Sequence, residues 1–149
     1  NLTMTRSQVL ELVSEIYSVS PEFPWDGETH AVLRHPSSGK WFGIIMDVKK
    51  KHLHLAEEKS AEGEETEGIM NVKCDPLLIE DLLQEEAFLP AWHMNKKYWV
   101  SIRLSTVTED ALKKLLDRSW DLVKPKVKKK SAARPANIQE SLAYKTFDR

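Results

Sequence analysis

The residue types best suited to bind a charged partner lie close together between Pro90 and Trp99. This stretch combines three aromatic rings, one histidine, one asparagine and two adjacent lysines. Rings beside ammonium groups suit a phosphate-bearing or nucleic-acid partner, because the ring stacks while the ammonium meets the negative charge. The candidate ligands for such a partner are Trp92, His93, Asn95, Lys96, Lys97, Trp99 and Arg103, together with the lysine turn Lys49, Lys50 and Lys51.

The same stretch also allows a structural interpretation. Every second residue from Tyr98 to Leu104 belongs to the inward side of a predicted strand, and Trp92 would close the edge of the sheet. Trp99 and Arg103 then lie on the opposite side of that strand. Whether they extend a ligand surface depends on whether that side is open to solvent.

The sequence offers little for metal or catalytic chemistry. His52 and His54 would lie on one face of a strand, within reach of a shared ion. A zinc site needs three or four ligands with supporting hydrogen bonds, and Cys74 and the other histidines lack the spacing. The chain contains no glycine-rich phosphate loop, no nucleophile elbow and no His-Glu-x-x-His motif. We therefore expect no metal, no cofactor and no enzymatic activity.

Charge is divided unevenly along the chain. Residues 1–123 contain 14 basic and 21 acidic side chains, a difference of −7, whereas residues 124–149 contain 8 and 2, a difference of +6. The acidic part argues against a domain that binds nucleic acid with its whole surface. The basic end either adds non-specific phosphate contacts or is a solvated tail.

Length and cysteine content set the class of protein. A chain of 149 residues fits one domain. No apolar run approaches the roughly 20 residues of a membrane span, and no signal-peptide pattern is visible. Cys74 is the only cysteine, which excludes an internal disulfide and suits a reducing cytoplasm. We expect a cytoplasmic protein that does not enter a membrane.

Periodicity predicts helices that flank and interrupt a sheet. Thr5 and Gln8 form a capping box before the first helix, Asp75-Pro76 opens a second, and Thr108 caps the last. The pattern predicts strands at residues 29–34, 41–46, 52–56, 69–74 and 98–104, most of them joined by short turns. The expected fold is α+β and two-layered, with an antiparallel sheet of about five strands, helices on one face and the order α-β-β-β-β-α-β-α.

Two segments are expected to stand apart from this fold. Residues 57–68 carry six glutamates and should be a mobile interruption of the sheet, and residues 125–136, rich in lysine, should lack regular structure. A capping box at Asn137 predicts a short helix through Lys145, which must dock to be stable. We therefore divide the chain into a domain of residues 1–124 and a basic tail of residues 125–149.

Four segments together resemble the MmcQ/YjbR family. They are Lys40-Trp41-Phe42, Val72-Lys73-Cys74-Asp75-Pro76, the Pro90 to Trp99 stretch and Ser119-Trp120-Asp121-Leu122-Val123, and they keep their order and spacing. The resemblance implies a compact α+β domain likened to the CyaY (frataxin-like) and secretion-chaperone folds. It also implies DNA binding through a proposed double-wing surface.

Two functional hypotheses follow. The first is a small cytoplasmic domain that binds DNA through the aromatic and basic side chains. The second is a protein-interaction or chaperone-like module that takes a peptide, or a second copy of the domain, on a sheet face or edge. A contiguous positive surface around Lys96 and Lys97 would favour DNA, and an exposed apolar patch or a paired edge strand would favour protein.

Overall fold

The computed structural model describes residues 4–27, 29–55 and 65–126. The predictions for residues 127–149 and for most of the acidic segment lie outside the described residues. In chain order the elements are α1 (Arg6–Tyr17), β1 (Ala31–Arg34), β2 (Trp41–Lys49), a 3-10 turn (Lys50–Leu53), β3 (Thr66–Lys73), α2 (Pro76–Leu82), β4 (Phe88–Pro90), β5 (Trp99–Arg103) and α3 (Glu109–Val123).

The helices begin at the predicted caps. The Gln8 N–H donates to the Thr5 hydroxyl at 3.1 Å, and the Thr5 N–H donates to the Gln8 side chain at 2.9 Å, so the capping box of α1 is complete. The Asp75 carboxylate accepts from the Leu77 N–H at 2.8 Å at the start of α2. The Thr108 hydroxyl accepts from the Ala111 N–H at 3.2 Å at the start of α3. These local signals are confirmed.

The five strands form one sheet in the order β1-β2-β3-β5-β4, and every neighbouring pair is antiparallel. The three α-helices cover one face, which we call the inner face. Its core is formed by buried side chains from all three helices and from the sheet, among them Val9, Phe42, Met70, Ile79 and Leu112. The α+β class and the five-stranded antiparallel sheet are confirmed. Among the described residues no helix has the length and apolar character needed to cross a membrane.

One strand lies elsewhere than predicted. Residues 52 and 53 belong to the 3-10 turn Lys50–Leu53, and His54, which follows it, adopts a left-handed conformation with φ 55°. β2 and β3 pair directly down to Lys49 and Thr66, so no strand fits between them. β3 therefore begins at Thr66, inside the segment expected to interrupt the sheet. The fifth strand is the short β4, which pairs with β5.

A β-bulge sets the orientation of two aromatic residues in β2. Leu33 pairs with Gly43 and Arg34 with Trp41, so Phe42 is the extra residue. Phe42 packs in the inner core, whereas Trp41 packs on the opposite side of the sheet. The Ser119 hydroxyl donates to the Phe42 carbonyl at 2.7 Å and accepts from the Lys73 N–H at 3.0 Å. Helix α3 thus satisfies the backbone groups at the bulge.

The other face of the sheet, which we call the outer face, carries a smaller core. Val32, Ile44, Met46, Val48 and Ile69 are its buried members. The side chains that cover it come from outside the helix layer and are Trp41, Leu53, Leu89, Trp92 and Met94. The aromatic-rich stretch therefore folds back over the outer face.

Candidate functional site

A buried polar pair anchors the aromatic stretch to the sheet. Asn71 on β3 and Ser101 on β5 are directly opposite each other, fully buried and hydrogen-bonded through their side chains. The Trp92 N–H donates to the Ser101 hydroxyl at 2.9 Å, and the Asn71 amide donates to the Trp92 carbonyl at 3.0 Å. Both backbone groups of Trp92 are thus held by the outer face.

Trp92 forms a ring stack above this anchor. Its indole lies 4.2 Å from the His93 imidazole at an interplanar angle of 16°, and His52 approaches to 6.0 Å. His93 has a positive φ of 57°, which turns the chain sharply at this point. Trp92 is half-buried against the outer core, and these contacts match the structural interpretation of this side chain.

The lysine pair lies on an exposed turn. The Asn95 side chain accepts from the Lys97 N–H at 2.8 Å, a turn in which an Asn side chain mimics the backbone. Lys96 and Lys97 are exposed, and within the described part of the chain neither forms an ion pair. Tyr98 is also exposed, because β5 begins only at Trp99, so its predicted inward position was wrong. The Lys97 ammonium lies 5.5 Å from the centre of the Tyr98 ring.

A row of aromatic and basic side chains crosses one end of the outer face. Lys73 and Trp99 pair directly across β3 and β5, which places their Cβ atoms about 5 Å apart. Trp41 covers the neighbouring part of this face, and its ring meets Trp25 at 5.9 Å, nearly perpendicular. We call the set Trp25, Lys40, Trp41, Lys73 and Trp99 the aromatic–basic band.

The two lysines of the band influence each other. Burial lowers the pKa of Lys73, and the nearby positive charge of Lys40 lowers it further. Considering only residues that the structure describes, neither ammonium has an ion-pair partner. The band therefore holds two positive charges that act on each other, with Trp99 directly opposite Lys73 and Trp41 next to Lys40 in the chain.

Arg103 is not part of this surface. It is buried, with 4% of the residue exposed, and its guanidinium lies 3.6 Å from the equally buried Glu67 carboxylate. Ser105 donates a further hydrogen bond to Glu67. The outer face is closed at this end, so the expectation that Arg103 extends the ligand patch was wrong, whereas Trp99 does lie on the band.

The lysine turn lies at the other end of the sheet. Lys49 ends β2, whereas Trp41 begins it, and eight residue steps of extended chain separate them by about 25 Å. Lys50 pairs with Glu65 at 3.8 Å, and Lys51 is exposed. The fold brings Lys96, Lys97 and Trp99 to the band end, and it does not bring Lys49, Lys50 and Lys51 there.

Sequence patterns missed most of the band. Trp41 and Lys73 lie within predicted strands and Lys40 precedes one, but their common location depends on the pairing of distant strands. Trp25 lies in a connection without periodicity, so only its type was informative. His52 and His54 lie on a turn rather than on one strand face. Among the described residues no group of three or more His, Cys, Asp or Glu side chains could hold a metal ion.

Comparison with known proteins gives one consistent family. The model of the YjbR family matches residues 14–122. The chain is 37% identical over 123 residues to the uncharacterized protein YyaQ of Bacillus subtilis (strain 168), covering 81% of this chain and 99% of that protein.

Two solved structures have a similar fold. A crystal structure of a Pseudomonas syringae protein (target PsR293) has a TM-score of 0.71 and 27% identity, covering 81% of this chain and 100% of the other. A crystal structure of the Deinococcus radiodurans protein DR2400, with family-model domain DUF419, has a TM-score of 0.60 and 23% identity. The match covers 88% of this chain and 83% of the other. The second likeness concerns the fold alone.

Proposed function

The chain belongs to the YjbR family, and from this premise we propose that it is a small, non-enzymatic, cytoplasmic domain that binds nucleic acid. The proposed contact surface is the aromatic–basic band together with the exposed Lys96–Lys97 turn. The likeness to frataxin-like and secretion-chaperone folds, implied by the resemblance, remains part of this proposal.

The observation that carries the proposal is the pair Lys40 and Lys73. The positive charge of Lys40 acts on Lys73 and disfavours its charged form, and the partial burial of Lys73 weakens its solvation by water. An anion placed between them would remove both costs, so the pair favours a phosphate. Trp99 lies directly opposite Lys73, Trp41 follows Lys40 in the chain, and their half-buried indoles offer contact area to a sugar or base.

The rest of the domain confines such binding to the band. Residues 1–123 carry a difference of −7 between basic and acidic side chains, so the net charge of this part of the chain repels a polyanion. The helix surface illustrates this, since Lys113 and Lys114 already pair with Glu109 and Asp110 at 3.5 and 3.3 Å. A nucleic acid would therefore approach from the outer face.

Protein binding by strand addition has less support. On one edge, Val32 of β1 already exchanges both backbone hydrogen bonds with Glu22, at 2.8 and 2.9 Å. On the other edge, β4 has only three residues and ends in Pro90, which lacks an N–H. The exposed ring of Trp25, which contacts Trp41, keeps a protein partner on the face as a second candidate.

Fluorescence titration with DNA at two salt concentrations tests the proposal. Affinity should fall as the salt concentration rises. In the Lys96→Ala/Lys97→Ala variant the plot of log K against log[salt] should become less steep by about 1.5, because two phosphate contacts are lost. The variant Lys113→Ala/Lys114→Ala is the matched control, since it removes the same charge from the helix side. Absence of binding at low salt would refute the proposal, and equal slopes in both variants would remove the lysine turn from the surface.

A further inference from the structure

We propose that the band recognises unpaired nucleobases, so that its ligand is single-stranded rather than duplex nucleic acid. The inference rests on the proposed function and names the class of nucleic acid that the same surface takes.

The state of the rings is the first argument. Trp25 is 42% exposed and Phe23 is 55% exposed. Trp25 meets Trp41 and His30 at interplanar angles of 86° and 75°, so neither ring lies flat upon it. Trp92, in contrast, is stacked with His93 at 16°. An exposed indole on which no ring of the described residues stacks is a platform for a flat aromatic ligand.

The arrangement of charge and ring is the second argument. Lys40 is adjacent in sequence to Trp41, which contacts Trp25, and its charge is close enough to Lys73 to lower that pKa. A phosphate held by the two lysines would thus lie beside the rings. In single-stranded nucleic acid each phosphate is followed by a base that is free to rotate onto such a ring. Asp26, next to Trp25, disfavours a phosphate there and leaves that position to a base.

The acidic remainder of the domain is the third argument. A duplex carries one negative charge per about 1.7 Å of axis, and a single strand has a lower charge density. The duplex also hides the faces of its bases, so it gains no stacking contact with Trp25. A domain with excess acidic charge outside its tail therefore repels a duplex more strongly than a single strand. It also offers the duplex fewer favourable contacts.

The test compares three probes of equal length on the full chain: a mixed-sequence single strand, its blunt duplex, and an abasic strand that keeps the phosphates. We expect the single strand to bind more tightly than the other two at the same salt concentration. Removal of one stacking ring in Trp25→Leu should weaken single-strand binding roughly 5- to 100-fold. Leu122→Ala, an exposed apolar residue on α3, is the control and should leave the affinity unchanged.

The outcomes separate the two proposals. Failure of all three probes to bind would overturn the proposed function and, with it, this inference. Duplex or abasic strand bound as tightly as the single strand would leave the proposed function standing and overturn the inference. An unchanged affinity of Trp25→Leu, with its fold verified by circular dichroism, would also overturn it.

Discussion

Asn71 and Ser101 face each other across β3 and β5, and together they hold both backbone hydrogen-bonding groups of Trp92. Both side chains are fully buried, so the free energy of this arrangement depends on every partner being present. The pair explains why the aromatic-rich stretch from Pro90 to Trp99, which lies mostly outside regular strands, has a defined position on the outer face. It also connects the stability of the sheet to the shape of the proposed binding surface.

Removal of the Ser101 hydroxyl should destabilise the domain. In Ser101→Ala the buried Trp92 N–H loses its acceptor and Asn71 loses its donor, which should lower the free energy of unfolding by about 1–3 kcal/mol. Urea denaturation measures this change. Ser20→Ala, at an exposed connection, serves as the control. An equal midpoint for the two variants would show that the anchor contributes nothing.

The buried ion pair of Arg103 and Glu67 should contribute to stability and not to nucleic-acid binding. Arg103→Met leaves the buried Glu67 carboxylate without its cation, which should cost about 3–5 kcal/mol. The double variant Glu67→Gln/Arg103→Met should recover much of this loss, because no buried charge remains. Denaturation of the wild-type protein, Arg103→Met, Glu67→Gln and the double variant completes the cycle. A double variant no more stable than Arg103→Met would contradict the account, as would a large loss of DNA affinity in the folded double variant.

Features that depend on neighbouring residues could be predicted from the sequence. The caps Thr5, Asp75 and Thr108 act within one helical turn, and the alternation of Val100 and Ile102 reports directly which side of a strand is buried. Such signals suffice for the α+β class and the antiparallel sheet. The same kind of local signal accounts for the exposure of Lys96 and Lys97, which lie in the turn where the Asn95 side chain accepts from the Lys97 N–H.

Features that depend on strand register could not be predicted. Arg103 shares its strand face with Trp99, and only the diagonal position of Glu67 on β3 shows that it is buried as an ion pair. The location of Lys73 beside Trp99 likewise requires the pairing of β3 with β5. The side of the sheet taken by Trp41 depends on the bulge at Phe42, which leaves no mark in the hydrophobic pattern.

Histidine 35 should make the stability of the domain depend on pH. Burial lowers the pKa of His35 from its ordinary value of 6.5, with a smaller contribution from the positive charge of Lys124. Its Nδ1 accepts from the Ser37 N–H at 3.1 Å, which requires the neutral ring. Because the unfolded chain binds this proton more tightly, stability should be complete above about pH 7 and decrease as the pH falls through 6.5 toward the lower folded pKa.

The variant His35→Asn isolates this effect. Its side-chain oxygen still offers an acceptor to the Ser37 N–H, but it does not titrate. The wild-type protein should lose more stability than the variant in urea denaturation between pH 7 and the acidic end of this window. Parallel curves for the two proteins would show that His35 is not the group responsible.

The tryptophan side chains give the most direct test of the binding surface. The chain contains five tryptophans, so the indole N–H groups provide five NMR signals, which single Trp→Phe variants assign. Trp120 packs against Tyr17 and Phe42 on the inner side and acts as an internal reference. Upon titration with a single-stranded oligonucleotide at low salt, the signals of Trp25, Trp41 and Trp99 should shift while that of Trp120 stays in place. No shift in any indole signal, or a shift of Trp120 without the three band signals, would contradict the account.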